Sequence, residues 1–540
     1  MSQNQTKKIL VLGNEAAALG AIHAGISGVY AYPGTPSTEV TEYIQGHPLA
    51  ARRQIKSTWC TNEKTAMETA LGLSYTGKRA LVVMKHVGLN VAADAFVNSA
   101  MTGANGGLVV MVCDDPSMHS SQNEQDSRFY SKFAMVPTVE PSSQQEAYDI
   151  IKHAFDLSER VGLPVLLRMT TRLAHSRAAI TTSDIRDEND FHFPENPQQW
   201  ILLPAISRKR YKKLVNLQFE LGIESRKSLF NQYINGSDKH MGVIACGIAY
   251  NYLMESYPDG CPYPVYKISQ YPLDRTVLAT MTSEVDKVLV LEDGQPFVEE
   301  QLVGIMDTPI SVLGRLTGAL PRTGELTPDN VLAAFGLETA PHFYEASHIA
   351  NRPPALCTGC GHFDMYSDLN EVLTQYPSAK VFSDIGCYTL GALPPLRAID
   401  SCVDMGASIT MARGAADGGL HPSVAVIGDS TFTHSGMTGL LDAINVNANM
   451  TVIISDNLTT AMTGGQPSAG TNKFEAICQG LGLDAAHLHV VVPLPKNREE
   501  IKRIMKQEID YHGLSVIIPR RECIQQLVRN KKQQPTTKNQ

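Results

Sequence analysis

The sequence predicts an α/β protein in which two large, doubly wound parallel-sheet domains flank a smaller α/β domain. Three observations carry that expectation. Short β-rich runs alternate with Ala-rich helical stretches towards both ends of the chain, the pattern of strand-crossover-strand units. A polar interval and a Pro- and Gly-rich interval break the alternation in between. The 540 residues, at about 100 to 200 per domain, leave room for three or four separate cores.

In chain order, the first domain (1–180) reads KILVLG, VYAYPG, ALVVMKHVG, GGLVVMVCDD and PVLLRMTT as strands of one parallel sheet, with helices over 15–24 and 63–76. Residues 181–239 form a linker with connecting helices: FHFPENPQQW, then a basic helical stretch over 207–227. A middle α/β domain (240–345) opens at MGVIACGIAY, continues through PVYKISQYPL and KVLVLEDG, and closes over 317–328. The third (346–525) shows its α/β signals from Pro353 onward: VFSDIGC, SVAVIGDS, TVIISDN, HVVVPL and SVIIPRREC. Residues 526–540 read as a flexible tail, basic from Arg529. No short-period repeat suggests a solenoid.

Composition narrows the function classes. With 43% hydrophobic and 19% charged residues the bulk is ordinary globular protein. A formal net charge of -8 argues against a nucleic-acid-coating surface, which needs dense Lys/Arg contacts to phosphate. The N-terminus lacks a secretory h-region and no apolar run reaches the roughly 18 residues of a membrane span, so a cytoplasmic protein is expected. Ten Cys in so long a chain are no disulfide scaffold, and clustered Cys there point to metal or redox chemistry.

The richest stretch runs from SVAVIGDS to TVIISDN. One apolar strand ends at Gly428-Asp429-Ser430, a helix follows over 436–445, and a second strand ends at Asp456-Asn457. Ligands bind at such C-terminal strand ends in open α/β sheets. A carboxylate, an amide oxygen and the Thr459 carbonyl would leave a hard cation three positions for diphosphate and water, which suits Mg²⁺. The plain alternative is a Gly-Asp turn of the kind any α/β protein contains. The spacing resembles the thiamine diphosphate (TPP) motif, GDG followed after about thirty residues by N, with Ser430 in the third Gly position. The resemblance implies a TPP-binding domain in which Gly428, Asp429 and Ser430 meet the diphosphate, and Asp429, Asn457 and Thr459 hold Mg²⁺.

Four cysteines accompany that motif. Cys357 and Cys360 form a CxxC pair, Cys387 ends the strand of SDIGC, and Cys523 follows the last strand, so all four fall at loop ends on one edge of a sheet. Such a set suits a [4Fe-4S] cluster, structural zinc or no ligand. Cys60, Cys113, Cys246, Cys261, Cys402 and Cys478 carry no pattern and read as core or surface residues. A TPP domain opening with CxxCG resembles the thiamine half of the 2-oxoacid:ferredoxin oxidoreductases, which implies a [4Fe-4S] cluster on Cys357, Cys360, Cys387 and Cys523 near the thiazolium.

A TPP enzyme also needs a Glu for the aminopyrimidine N1′. Glu63, opening a helix in TNEKTAMETALG, is the candidate; a plain helix N-terminal carboxylate is its alternative and Glu68 its weaker rival. AYPGTPSTEV, after a strand, reads generically as a turn opening a helix at 37 or 38. It is similar to the YPxTPS motif of the same family, which implies that Thr35 bonds the oxoacid. His86 in MKHVG ends a strand, where it orients substrate, shuttles a proton or serves as a loop residue. His119, His362, His434 and Arg128 lie in motif-bearing loops without an assignable role. With Gly34 in the variable place, MKHVGLNVAAD, DDPSMHSSQNEQDSR and TTAMTGGQ narrow the resemblance to the large subunit of the indolepyruvate branch, from Lys8 to Cys523.

That resemblance implies oxidative decarboxylation of an aryl-type 2-oxoacid, of the indolepyruvate or phenylpyruvate class, to an acyl-CoA, with electrons leaving through the cluster to ferredoxin. It implies a smaller second subunit, in a heterodimer or heterotetramer, coenzyme A as substrate, a thiamine site between the first and third domains, and a middle domain similar to the C-terminal domain of transketolase. The family's large subunit usually ends in a ferredoxin-like domain with two CxxCxxCxxxCP runs. The chain has no Cys after Cys523, so the expectation is a separate ferredoxin-like subunit or a soluble acceptor. The rival readings are a non-oxidative TPP-dependent decarboxylase, whose Cys bind zinc or nothing, and a silent scaffold subunit.

Overall fold

Near-continuous apolar runs such as Ala80–Lys85 and Leu108–Asp114 have no polar face to offer water, so they are stable only as interior strands covered on both sides. The computed structural model, which describes residues 8–194, 196, 199–305, 310–338 and 354–533, places them at the centre of a seven-stranded sheet. The described residues belong to two units, Met1–Phe343 and Tyr344–Gln540.

In the first unit the sheet order is Gln270–Tyr271, Thr138–Val139, Val165–Thr170, Leu108–Asp114, Ala80–Lys85, Gly28–Ala31, Lys56–Trp59. All pairings are parallel except that of Gln270–Tyr271, which runs antiparallel to Thr138–Val139. The chain steps from Gly28–Ala31 out to the edge at Lys56–Trp59, then reverses across to Ala80–Lys85. A crevice therefore opens at the C-terminal ends of Gly28–Ala31 and Ala80–Lys85.

One expected strand lies elsewhere. KILVL, Lys8–Leu12, pairs antiparallel with Arg177–Thr181 in a separate two-stranded sheet. Its Leu10 is 68% exposed while Val11 is buried, a one-sided pattern that an interior parallel strand cannot have. A second sheet, order Ser311–Leu313, Lys287–Leu291, Gly242–Cys246, Val265–Ile268, Gln232–Ile234, occupies the middle of the chain. The basic stretch forms the helix Pro204–Lys227.

Arg128 and Arg168 join these two sheets through ion pairs that are almost wholly buried. Arg128 binds Asp126 at 2.5 Å and Glu292 at 3.0 Å, and Arg168 binds Asp114 at 2.6 Å and also Glu140. Removing one partner strands the others in a dry interior. Arg128→Met should lower unfolding stability by about 3–5 kcal/mol, read by denaturant titration of the isolated chain.

The second unit is an all-parallel six-stranded sheet, order Ser401–Cys402, Lys380–Ser383, Ser423–Gly428, Met450–Ser455, Leu514–Pro519, Leu488–Val491. Setting aside the antiparallel edge strand of the first sheet, both sheets share one wiring, with strands in the spatial order second, first, third, fourth, sixth, fifth. The second unit's crevice accordingly opens beside Lys380–Ser383 and Ser423–Gly428. The tail read from 526 begins as the helix Ile524–Gln533, and 534–540 lie outside the described residues. The expected boundary at 345/346 and the opening Pro353 also lie outside them. No helix among the described residues is long and apolar enough to cross a membrane.

Candidate functional site

Asp429 and Asn457 follow neighbouring parallel strands whose ends are in register, Gly428 opposite Ser455. Gly428 is required by close approach: an added Cβ would meet the Tyr388 ring at 2.4 Å. Asp429 starts a helical run that passes through a π-turn, Phe432–Gly436, into the helix Met437–Asn445, so its carboxylate sits at a helix N-terminus suited to anions and their counterions. Sequence reading starts this helix at 436 and misses the π-turn, a device frequent at functional sites. The residue is 3% exposed; Oδ1 accepts from the Ser430 N–H at 2.7 Å, and Oδ2 is buried without a hydrogen bond of good geometry, with the Ser468 hydroxyl and the Thr459 N–H nearby. Burial, with the charge of Asp456 nearby, pushes Asp429 up to about 7. A cation at Oδ2 would relieve both penalties.

The loop after Asn457 is tightly specified. Leu458 has φ +64, a strained conformation for a branched residue. The Asn457 Oδ1 accepts from the Thr459 N–H at 3.2 Å, and the Thr459 hydroxyl donates to the Gln466 carbonyl at 3.0 Å within a small hairpin. Ser430, standing where the motif has Gly, has its hydroxyl 2.8 Å from that of Thr460 and so ties the Asp429 turn to this hairpin. Arg520 binds Asp456 at 2.6 Å and both oxygens of Glu475 at 2.8 Å.

Cys357, Cys360, Cys387 and Cys523 line a single cavity of about 130 Å³, together with His362 and Asn457. Cys360 is the N-terminal cap residue of the helix Gly361–Leu373, without a side-chain capping bond. The Cys523 N–H donates to the Asn457 carbonyl at 3.1 Å, so the thiol loop and the Asn457 loop share a bond. Burial pushes Cys387 up to about 12, followed by the charges of Cys360, Cys523, Cys357 and Asp429. Cys387 therefore lies within electrostatic reach of both groups. Among the described residues no three His, Cys, Asp or Glu gather as for a single metal ion.

In the first unit, Glu63 opens the helix Glu63–Tyr75 because Asn62 caps it, accepting from the Thr65 N–H at 2.9 Å. Glu63 is 5% exposed and lies against Gly88, where an added Cβ would fall 2.5 Å from its Oε1. Gly88→Ala should therefore displace the Glu63 carboxylate, a shift that a crystal structure of the variant would read directly. Glu68 pairs with Lys64 on the exposed face of the same helix, away from this setting.

Thr35 is partly exposed beyond the end of Gly28–Ala31, and its carbonyl accepts from the Ser120 hydroxyl at 3.3 Å. The Ser120 carbonyl in turn accepts from Lys85 Nζ at 3.1 Å. Burial pulls the Lys85 ammonium down despite the nearby charges of Asp115 and Glu63. Lys85 carries no motif signal of its own in the sequence, although it stands beside His86 at the same strand end. His86 is 1% exposed, donates through Nε2 to the Asn123 carbonyl at 3.1 Å, and leaves Nδ1 buried without a partner. It thus anchors the loop that carries Ser120. His119 reaches Glu325 at 3.4 Å on the surface, His434 sits buried in the π-turn, and Arg128 belongs to the buried ion-pair network. Cys113, Cys246 and Cys478 are core residues, and Cys60, Cys261 and Cys402 reach the surface in part.

Residues 19–216 match the family described as pyruvate flavodoxin/ferredoxin oxidoreductase, thiamine diphosphate-binding, and residues 384–518 the thiamine pyrophosphate enzyme C-terminal TPP-binding domain. The chain is 38% identical to the indolepyruvate oxidoreductase subunit IorA of Pyrococcus abyssi, over 98% of its own length and 88% of that relative. It is 37% identical to the subunit of the same name from Archaeoglobus fulgidus, over 96% and 86%. Among solved structures it is similar to a 2-oxoglutarate:ferredoxin oxidoreductase from Magnetococcus marinus bound to 2-oxoglutarate, coenzyme A and succinyl-CoA. That match has a TM-score of 0.50 at 17% identity, spans 61% of this chain and 65% of that one, and bears on the fold alone.

Proposed function

The chain belongs to the family of the indolepyruvate oxidoreductase subunits IorA, and on that basis we propose that it is the TPP-binding subunit of an enzyme that oxidatively decarboxylates aryl-type 2-oxoacids. The acyl group of an indolepyruvate- or phenylpyruvate-class substrate passes to coenzyme A. Cys357, Cys360, Cys387 and Cys523 would hold a [4Fe-4S] cluster, which would supply one-electron transfer towards ferredoxin or a separate ferredoxin-like subunit. A smaller second subunit completes the enzyme, as the relatives' designation as a subunit suggests.

The observation that carries this reading is the convergence of four thiols on one cavity that also contains Asn457, at the sheet edge bearing Asp429. Four thiolates suit a [4Fe-4S] cluster as they suit zinc, and it is the family of the chain that favours the cluster. The buried Asp429 Oδ2, without a hydrogen bond of good geometry, and the all-oxygen donor set of Asp429, Asn457 and Thr459 fit Mg²⁺. Bound TPP supplies the carbanion chemistry and a cluster supplies one-electron transfer.

The chain's own residues do the rest. Glu63, held buried against Gly88, exchanges a proton with the aminopyrimidine N1′. Lys85 supplies a cation for the oxoacid carboxylate, and Thr35 bonds the oxoacid beside it. His86 positions the Ser120 loop that links these two. Gly428, packed on the Tyr388 ring, and Ser430, tied to Thr460, fix the turn that would receive the diphosphate.

The test is anaerobic assay of the chain produced together with its second subunit. Indolepyruvate and phenylpyruvate should reduce a viologen dye only when coenzyme A is present, and faster than pyruvate or 2-oxoglutarate. Aldehyde released without any electron acceptor would establish the non-oxidative decarboxylase instead.

A further inference from the structure

His362 follows the CxxC pair by two residues, is 3% exposed, and lines the thiol cavity, yet it touches Asn457 on the metal side. Its protonation pattern follows from its neighbours. The Thr459 N–H can only donate, so the Asn457 atom facing it at 3.2 Å is the amide oxygen. The other end of the carboxamide, Nδ2, then faces His362 Nε2 at 3.1 Å and donates to it. Nε2 must accept, so Nδ1 carries the ring proton and donates to the Ser455 hydroxyl at 2.6 Å. The Asn457 backbone is pinned separately, since its carbonyl accepts from Cys523. What remains free is which end of the carboxamide faces which neighbour.

We infer that His362 is a positioning residue that fixes the Asn457 carboxamide with its oxygen, not its nitrogen, directed at Mg²⁺. The inference rests on the reading of Asn457 as a Mg²⁺ ligand. With one lone pair of Oδ1 on Thr459, the second remains for the cation. The opposite His tautomer, or an apolar residue at 362, would release the amide to turn an N–H towards the metal. Outer partners that orient a ligand in this way typically change metal affinity by about 10- to 100-fold when removed.

The experiment is calorimetric titration of Mg²⁺, with TPP present, into the full enzyme carrying substitutions at 362 and 457. His362→Leu should weaken Mg²⁺ binding by about 10- to 100-fold, and His362→Gln, whose side-chain oxygen can accept from Asn457 Nδ2, should restore most of it. In an Asn457→Asp background both ends of the ligand are oxygen, so adding His362→Leu should then change affinity little. Unaltered Mg²⁺ affinity in His362→Leu would overturn the inference, as would equal losses in the Leu and Gln variants or a full additional loss in the Asn457→Asp background. Should His362→Leu not fold, the Gln variant alone and combined with Asn457→Asp decides the matter: a loss in the Gln variant that persists in that background overturns the inference, and near-native affinity in both supports it. Asn457→Ala separates the levels, because unaltered Mg²⁺ affinity there removes the metal-site reading itself.

Discussion

Asp429→Ala is expected to leave a folded protein that no longer retains TPP. Its carboxylate is the charged donor of the proposed Mg²⁺ site, and its Oδ2 is buried without a hydrogen bond of good geometry. A direct ligand should cost more than the roughly hundredfold ceiling typical of outer partners. Measured by calorimetry, Mg²⁺-dependent TPP affinity should fall by more than that and activity should vanish. The iron content should stay near wild type, since no hydrogen bond joins this carboxylate to any of the four thiols. Removing Asp429 also deletes a buried group held up to about 7, so the variant's metal-free stability at neutral pH should not fall. Retained TPP in a folded Asp429→Ala protein would remove the assignment of the diphosphate side.

Glu63→Gln should lower kcat by about 10²- to 10⁴-fold, the range for loss of a positioned proton-transfer group. An amide keeps the shape and can still hydrogen-bond the pyrimidine, but it cannot exchange a proton with N1′. TPP retention and iron content should therefore be little changed, and the loss should fall on kcat with KM nearly constant. Glu68→Gln, on the exposed face beside Lys64, should be close to silent. Comparable losses in both variants would mean that Glu63 is only a helix-terminal carboxylate.

Much of this arrangement was legible because parallel strands buried on both faces leave long apolar runs, and because residues just after such runs fall at the ligand-binding edge. Asp429, Asn457, Cys387 and Cys523 could be placed in that way. Lys8–Leu12 could not, since KILVL has the composition of an interior strand and its antiparallel partner, Arg177–Thr181, lies far along the chain. Nor could the shared strand order of the two sheets, which is a property of crossover connections and leaves no sequence period.

Residues that act through contacts between loops were the hardest to read. Gly88 gains its role only when the helix His86–Thr102 meets Glu63, and Lys85 only when the Ser120 loop folds over it. His362 carries no signal beyond its place after CxxC until Asn457 and Ser455 surround it. The helix Ile524–Gln533 reads as tail because its apolar residues, Ile524, Leu527 and Val528, mark a single turn before the polar, basic end of the chain.

The central claim is that the four thiols hold an iron-sulfur cluster beside a TPP site. It is tested most directly by assaying iron, sulfide, zinc and TPP on one anaerobically purified sample. About four iron and four sulfide per chain are expected with TPP bound, and loss of the iron with TPP retained in Cys387→Ser. Bound TPP with zinc, or with no metal at the cysteines, would contradict it and leave a non-oxidative decarboxylase.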